Sequence, residues 1–448
     1  MNKKEFKGCM IRGLGRCAVA LKTGGDIGKY KDIVLWGCLN NVSYDVQSEG
    51  TRSDYIYALT TYFNDESYFL EPCLSAFECV SMRKDDLFAH YCELLRAFAV
   101  GGNEMAKNAL LAKYDSILNT LLAKKRFRGY DFDRDNFERL CLALSALDFD
   151  AYLLKIACDM GRLFRENKRY TGQDFDWFMS ALDDNIGKKK LIGILSRESK
   201  KSPDVAVFYE NYKEATKKLA SSERAPLKAP TVEEIIDEVN KGRLSVLSRV
   251  RFFRSADDAE KERLADAITK ENDLDKKAEL LSVFDIRDSG MPLPHKELVG
   301  YARSKNEKLR RVALNVLTSC QCTEARVLAL ELLSKDEYKT EAIEILINNY
   351  APLDKELLLA EIGKIKVDYE GSGDWHNIGS RILNACDLGV KLPREFFLYV
   401  YNTTLCSCCR EYAVRALAKG RWLTPEIIEE CRYDSNCDIS AYVNRYYK

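Results

Sequence analysis

The chain has 448 residues, of which 46% are hydrophobic and 31% charged, with only 9 prolines. That balance excludes a disordered chain and allows more than one conventional core, or a single continuous core if helical repeats stack along it. Lys and Arg together number 69, as do Asp and Glu, so no global field draws the chain to nucleic acid or to an acidic membrane.

From the N-terminus, Met1 to Cys17 mixes Lys3, Lys4, Lys7, Arg12 and Arg16 with short apolar stretches and lacks the continuous apolar region of a signal peptide. No later segment approaches about 18 consecutive apolar residues, so no membrane span is expected. Gly13 and Gly15 in RGLGRC make a GxG without a preceding strand, which fits a helix-terminal turn better than a phosphate loop. Trp36 to Tyr57 has the most unusual composition, gathering Tyr44, Asp45, Gln47, Glu49, Arg52, Asp54, Tyr55 and Tyr57. Arginine forks and carboxylates can orient a polar ligand. The simpler account is that Asp45, Glu49 and Arg52 pair with one another and with adjacent helices. Arg12, Arg16, Tyr44, Asp45, Gln47, Glu49, Arg52 and Tyr55 are the candidate interaction surface that the sequence offers.

Asn136 to Phe164 predicts a helical hairpin. Phe137, Leu140, Cys141 and Leu144, then Leu153, Ile156, Ala157, Met160, Leu163 and Phe164, each follow helical spacing, with Asp148 and Asp150 between them as cap and turn. SSERAPLKAP, Ser221 to Pro230, is the expected linker. It divides the chain into an N-terminal helical region, 1–220, and a C-terminal region, 231–448. Thr231 and Glu234 have capping-box spacing ahead of Val232, Ile235, Ile236 and Val239, and Gly242 ends that helix. Arg243, Arg249, Arg251 and Arg254 surround Phe252 and Phe253 in a pattern that nucleic-acid surfaces use. Asp257, Asp258, Glu260 and Glu262 follow and would neutralise it, with Val250 and Phe253 facing the core.

Beyond the linker the chain is periodic. NEKLRRVALNVL, YKTEAIEIL and CREYAVRAL align so that Ala313, Ala342 and Ala413 superpose, as do Leu317, Leu346 and Leu417. A small residue with leucine four positions later lets neighbouring helices approach closely. These segments resemble the inner helices of HEAT and armadillo-type repeats, and EECRYDSNCDI resembles the acidic turn between such repeats, with Asp434, Asn436 and Asp438 as caps. The resemblance implies an all-α protein, an α-solenoid of antiparallel helical hairpins, which acts as a scaffold. The Ala313 to Ala342 spacing of 29 is shorter than the usual repeat of about 40–47 residues, leaving irregular repeats or another hairpin array open.

Sixteen cysteines without an export signal predict reduced thiols and a cytoplasmic protein. Cys406, Cys408, Cys409, Cys431 and Cys437 form a second cluster, but CSCC lacks the CxxC gap of a zinc knuckle, so buried thiols are expected there. His90, His295 and His376 lie far apart with no motif around them, and His376 is expected at a helix start capped by Asp374. The expected function is a non-enzymatic scaffold that binds a protein or peptide partner along a concave surface, with no cofactor, no metal and no catalytic residue. The resemblance also permits a HEAT-like alkylpurine glycosylase, for which Asp374 beside Trp375 is the one adjacent pair of suitable types. A third reading is a small-ligand or peptide sensor using the N-terminal cluster.

Overall fold

The computed structural model describes residues 1–124, 130–221, 230–285, 292–367 and 373–447. Every regular element among them is helical, so the protein is all-α. No described helix is long and apolar enough to cross a membrane.

Two compact units divide the chain. The first contains residues 1–223 together with 405–408 and 424–448; the second contains 224–404 and 409–423. The linker expected at 221–230 lies, apart from its two end residues, outside the described residues. The sequence places 231–448 in one region, whereas residues 424–448 pack with the first unit. That association needs contacts more than 400 residues apart in sequence, which no local pattern encodes. Arg16 makes a two-pronged pair with Glu430 at 2.7 and 2.9 Å, and the Ser435 amide donates to the Gly13 carbonyl at 2.9 Å.

In the first unit the helices Lys31–Leu39, Ser53–Thr60, Asp85–Val100, Phe132–Leu147 and Asp176–Ile186 pack each on the next as one row. A second row, Glu66–Cys79, Glu104–Ala123 and Phe149–Glu166, lies against it. The predicted hairpin forms as Phe132–Leu147 and Phe149–Glu166, with Asp148 capping the second helix through the Ala151 amide at 3.0 Å. All ten apolar residues named for it are buried. Pro203–Ser221 packs so closely on Phe149–Glu166 that a Cβ on Gly161 would stand 1.8 Å from the Asp204 carbonyl oxygen.

The second unit repeats the arrangement. Leu274–Leu281, Glu307–Leu317, Lys339–Asn348 and Asp374–Asp387 form one row, and Asp258–Lys270, His295–Ala302 and Thr323–Leu332 pack against it. Ala313, Leu317, Ala342, Leu346, Ala413 and Leu417 are all fully buried, as the alignment predicts. The capping box forms at Thr231 and Glu234, with Val232, Ile235 and Val239 buried and Gly242 in the left-handed region at φ 63°. At the basic patch the buried aromatic is Phe252 rather than Phe253; Phe253 is half-buried under the Lys261 ammonium. Of the following acids, Asp257 caps its own helix, and Glu260 pairs with Arg263 and accepts from the Val232 amide at 3.4 Å.

Candidate functional site

The N-terminal candidates do come together, chiefly as a brace inside the first unit. Asp45 caps the short Val46–Glu49 helix, accepting from the Gln47 and Ser48 amides at 2.9 and 3.3 Å. Glu49 accepts from the Tyr44 amide at 2.5 Å, the Asp45 amide at 3.2 Å and the Ser407 amide at 2.8 Å. Arg52 donates to both Glu49 oxygens at 3.1 Å, to the Val42 carbonyl at 3.0 Å, and to the carbonyls of Ile11 and Leu405. Both side chains of this pair are 2% exposed. Burial works against the Glu49 carboxylate, but the Arg52 charge and the hydrogen bonds outweigh it and hold its pKa below the usual value. Tyr55 is buried and donates to the Leu14 carbonyl at 2.8 Å. Arg52, Glu49 and Tyr55 are thus withdrawn from the surface that the sequence offers, because the guanidinium replaces solvent for carbonyls from three parts of the chain. Gln47 alone of the set is exposed; Arg12, Arg16, Tyr44 and Asp45 are half-buried around the brace.

The RGLGRC glycines have the same purpose. Gly13 has φ 73°, and a Cβ there would stand 2.0 Å from Ser435 Oγ; a Cβ on Gly15 would stand 1.9 Å from the Glu430 carbonyl oxygen. The motif is a turn onto which residues 430–435 dock.

All sixteen cysteines are free thiols. Of the C-terminal cysteines, Cys406, Cys409 and Cys431 are buried and Cys437 is exposed. His90 is a satisfied core histidine, with Nε2 3.1 Å from the Cys38 carbonyl oxygen and Nδ1 2.9 Å from Ser53 Oγ, and burial lowers its pKa to about 4. His376 does stand at a helix start, but the cap residue is Gly373 at φ 75°, and Asp374 is the first helical residue. Trp375 is buried, so its indole is not on the surface where a displaced base would stack.

One buried acid escaped sequence reasoning. Glu138 is 6% exposed and accepts from the Phe178 amide at 2.6 Å. Burial, with Asp176 and Asp135 nearby, raises its pKa to about 7. A carboxyl whose folded pKa lies above its unfolded value gains stability when protonated and loses it as pH rises from about 4.5 to 7. Glu138→Gln keeps the acceptor without the charge. It is expected to stabilise the protein by about 2–3 kcal/mol at pH 8 and by under about 0.5 kcal/mol at pH 4.5. Urea denaturation at both pH values checks this.

The second unit carries a polar cavity of about 430 Å³. Successive helices of one row line it: Asn315 and Thr318 from Glu307–Leu317 and its end, Glu341 and Glu344 from Lys339–Asn348, Asp374 and Arg381 from Asp374–Asp387. Asp285, Asp336 and Glu337 add further carboxylates, so six acids face it with one arginine. Arg381 is buried and donates to Thr318 Oγ1 at 2.9 Å and to Glu344 at 3.4 Å; Asp336 pairs with Lys339 at 2.7 Å. Burial raises the pKa of Asp285, and burial with Asp374 nearby raises that of Glu341. Such a cavity favours cations and disfavours phosphates. Its signal in the sequence is a second stripe, as in Asp374, Asn377 and Arg381, at helical spacing beside the apolar one.

Comparison with models of protein families, with curated proteins and with solved structures finds no match.

Proposed function

We propose that the protein is a non-enzymatic, cytoplasmic interaction scaffold, an α-solenoid of HEAT-like hairpins, whose second unit receives a Lys- or Arg-bearing segment of a partner protein. The observation that carries this reading is the acidic cavity lined in turn by consecutive helices of one row. A row of helices backed by another row is how a solenoid presents a concave surface, and the partner lies across several repeats at once. The reduced thiols support an intracellular setting. The occupant is read from charge: an ammonium or guanidinium among these carboxylates regains the hydrogen bonds it leaves in water. It also lowers the acids' pKa values, so binding strengthens as pH rises through the range where Glu341 and Asp285 ionise.

The test uses fluorescence anisotropy with a labelled nine-residue arginine-rich peptide, an acidic peptide of equal length and a single-stranded oligonucleotide. The arginine-rich peptide is expected to bind, and Glu337→Gln with Glu341→Gln is expected to weaken it about tenfold, which corresponds to about 1.4 kcal/mol for one exposed and one half-buried charge. Equal binding by the variant, or preference for the oligonucleotide, sinks the reading.

A further inference from the structure

Residues 241–254, KGRLSVLSRVRFFR, carry one lysine, four arginines and no acid. They form the turn after the Thr231-capped helix and then most of the helix Val246–Ser255, in which Phe252 is the one buried residue. Helical spacing turns Val246, Leu247, Val250 and Arg254 away from Phe252, with Arg251 beside them. Val246 and Leu247 are 65% and 54% exposed, and Arg243 and Arg254 are exposed as well. An apolar face turned outward reverses the usual arrangement of a surface helix, whose apolar stripe faces the core. The arginines are not consumed by the acids of the preceding helix. Arg243 and Arg251 share a groove with Glu233, Glu234, Asp237 and Glu238, but each of these acids is otherwise engaged. Glu233 holds Arg263, Glu234 closes the capping box, Asp237 holds Lys241, and Glu238 accepts from the Ser245 amide at 3.4 Å and the Ser248 hydroxyl at 2.9 Å. Arg249 acts on Asp285, whose carboxylate its charge favours. Among the described residues Arg243, Arg251 and Arg254 make no ion pair and no side-chain hydrogen bond.

We propose that residues 241–254 dock the second unit on the surface of a membrane that contains anionic phospholipid. Val246, Leu247 and Val250 enter the boundary between headgroups and acyl chains, and Arg243, Arg251 and Arg254 meet the headgroup phosphates. The occupant is read from charge and from the apolar face together. Nucleic acid would use the arginines but needs exposed rings on which bases stack, and here Phe252 is buried while Phe253 lies half-buried under the Lys261 ammonium. It would leave Val246 and Leu247 in water, whereas a lipid surface covers them. Neither signal suffices by itself. Three aliphatic side chains bury too little area for lasting attachment, and the field of three arginines is screened within about 10 Å at 0.1 M salt. Attachment is therefore reversible and salt-sensitive. It does not depend on what the acidic cavity of the same unit binds.

The test is co-sedimentation of the full chain with sucrose-loaded vesicles, either pure phosphatidylcholine or phosphatidylcholine with about 30% phosphatidylserine, at about 0.1 M and about 0.5 M salt. The chain is expected to sediment with the phosphatidylserine vesicles at low salt, to be released at high salt, and to ignore pure phosphatidylcholine. Arg243→Gln with Arg254→Gln should weaken the partitioning about tenfold or more, and Val246→Ser with Leu247→Ser about tenfold. All four side chains are exposed, so circular dichroism should match the wild type in both variants. Lys189→Gln with Lys190→Gln removes two exposed charges from the first unit and should change nothing. The proposal is overturned if the chain stays in solution with phosphatidylserine vesicles, if the lysine variant loses as much as the arginine variant, or if the folded serine variant partitions like the wild type. Tighter binding of a single-stranded oligonucleotide, lost in the arginine variant and kept in the serine variant, would assign the patch to nucleic acid instead.

Discussion

Replacing Gly15 by alanine is expected to lower the unfolding free energy by about 3 kcal/mol, the upper range for overpacking a well-packed interior. The added methyl would stand 1.9 Å from the Glu430 carbonyl oxygen and 2.7 Å from the Tyr433 carbonyl carbon. Both are backbone atoms, so no side-chain rotation relieves the clash, and residues 430–435 must back away from the turn. The Arg16 to Glu430 pair and the Ser435 to Gly13 hydrogen bond weaken with it. Gly25 has nothing within 4 Å of its added Cβ, and Gly25→Ala should change stability by less than about 0.5 kcal/mol. Gly13→Ala should fall between: the Ser435 hydroxyl it meets is a side chain that Ser435→Gly removes, leaving the left-handed backbone cost of about 1 kcal/mol and a 3.2 Å approach to Arg52 Nε. Urea denaturation followed by circular dichroism separates the three. If Gly15→Ala and Gly25→Ala cost the same, the docking of residues 430–435 on this turn is wrong.

Arg52→Ala is expected to cost about 3–5 kcal/mol, because removing one partner of a buried pair leaves the other charge uncompensated. Here the other charge is Glu49 at 2% exposure, and the carbonyls of Ile11, Val42 and Leu405 lose a donor as well. The pH dependence identifies the cause. In the wild type the folded pKa of Glu49 is depressed. Its contribution is therefore fully present above the unfolded value near 4.5 and is lost as pH falls through the lower folded value. Without Arg52 burial dominates and the carboxyl is neutralised more easily. The deficit of Arg52→Ala should then be largest at pH 7 and shrink towards pH 4. Arg52→Lys should recover only part of the loss, since one ammonium cannot serve a carboxylate and three separated carbonyls together. A deficit equal at both pH values would mean that lost packing, and not the stranded carboxylate, carries the effect.

Much of the fold was legible because helices are local. The Phe137 to Leu144 and Leu153 to Phe164 stripes, the Asp148 cap, the Thr231 to Glu234 box and the alanine-leucine pairs all rest on spacings of three or four residues, and the structure buries or caps them as expected. Phe252 and Phe253 show the limit of that approach. Adjacent aromatics on a helix differ by about 100° in direction, and only the neighbouring helices decide which one is covered. The N-terminal cluster shows a second limit. Its composition of arginines, carboxylates and tyrosines is the same for a ligand site and for a brace, and the difference lies in Ser407, Leu405 and Glu430, which are remote in sequence.

The sequence by itself determined that the chain is helical, where the helices after Asp148 and Thr231 begin, which faces those and the alanine-leucine helices bury, and that its charge is balanced. Those properties follow from periodicity, capping chemistry and composition, each confined to a few residues. Only the tertiary structure decided that residues 424–448 belong with the first unit, that Arg52 and Glu49 are interior, and that acids from four segments between Asp285 and Asp374 share one cavity. These depend on which helices stack side by side. Local spacing places a polar stripe on a helix, but the concentration of charge arises only when successive stripes face the same space.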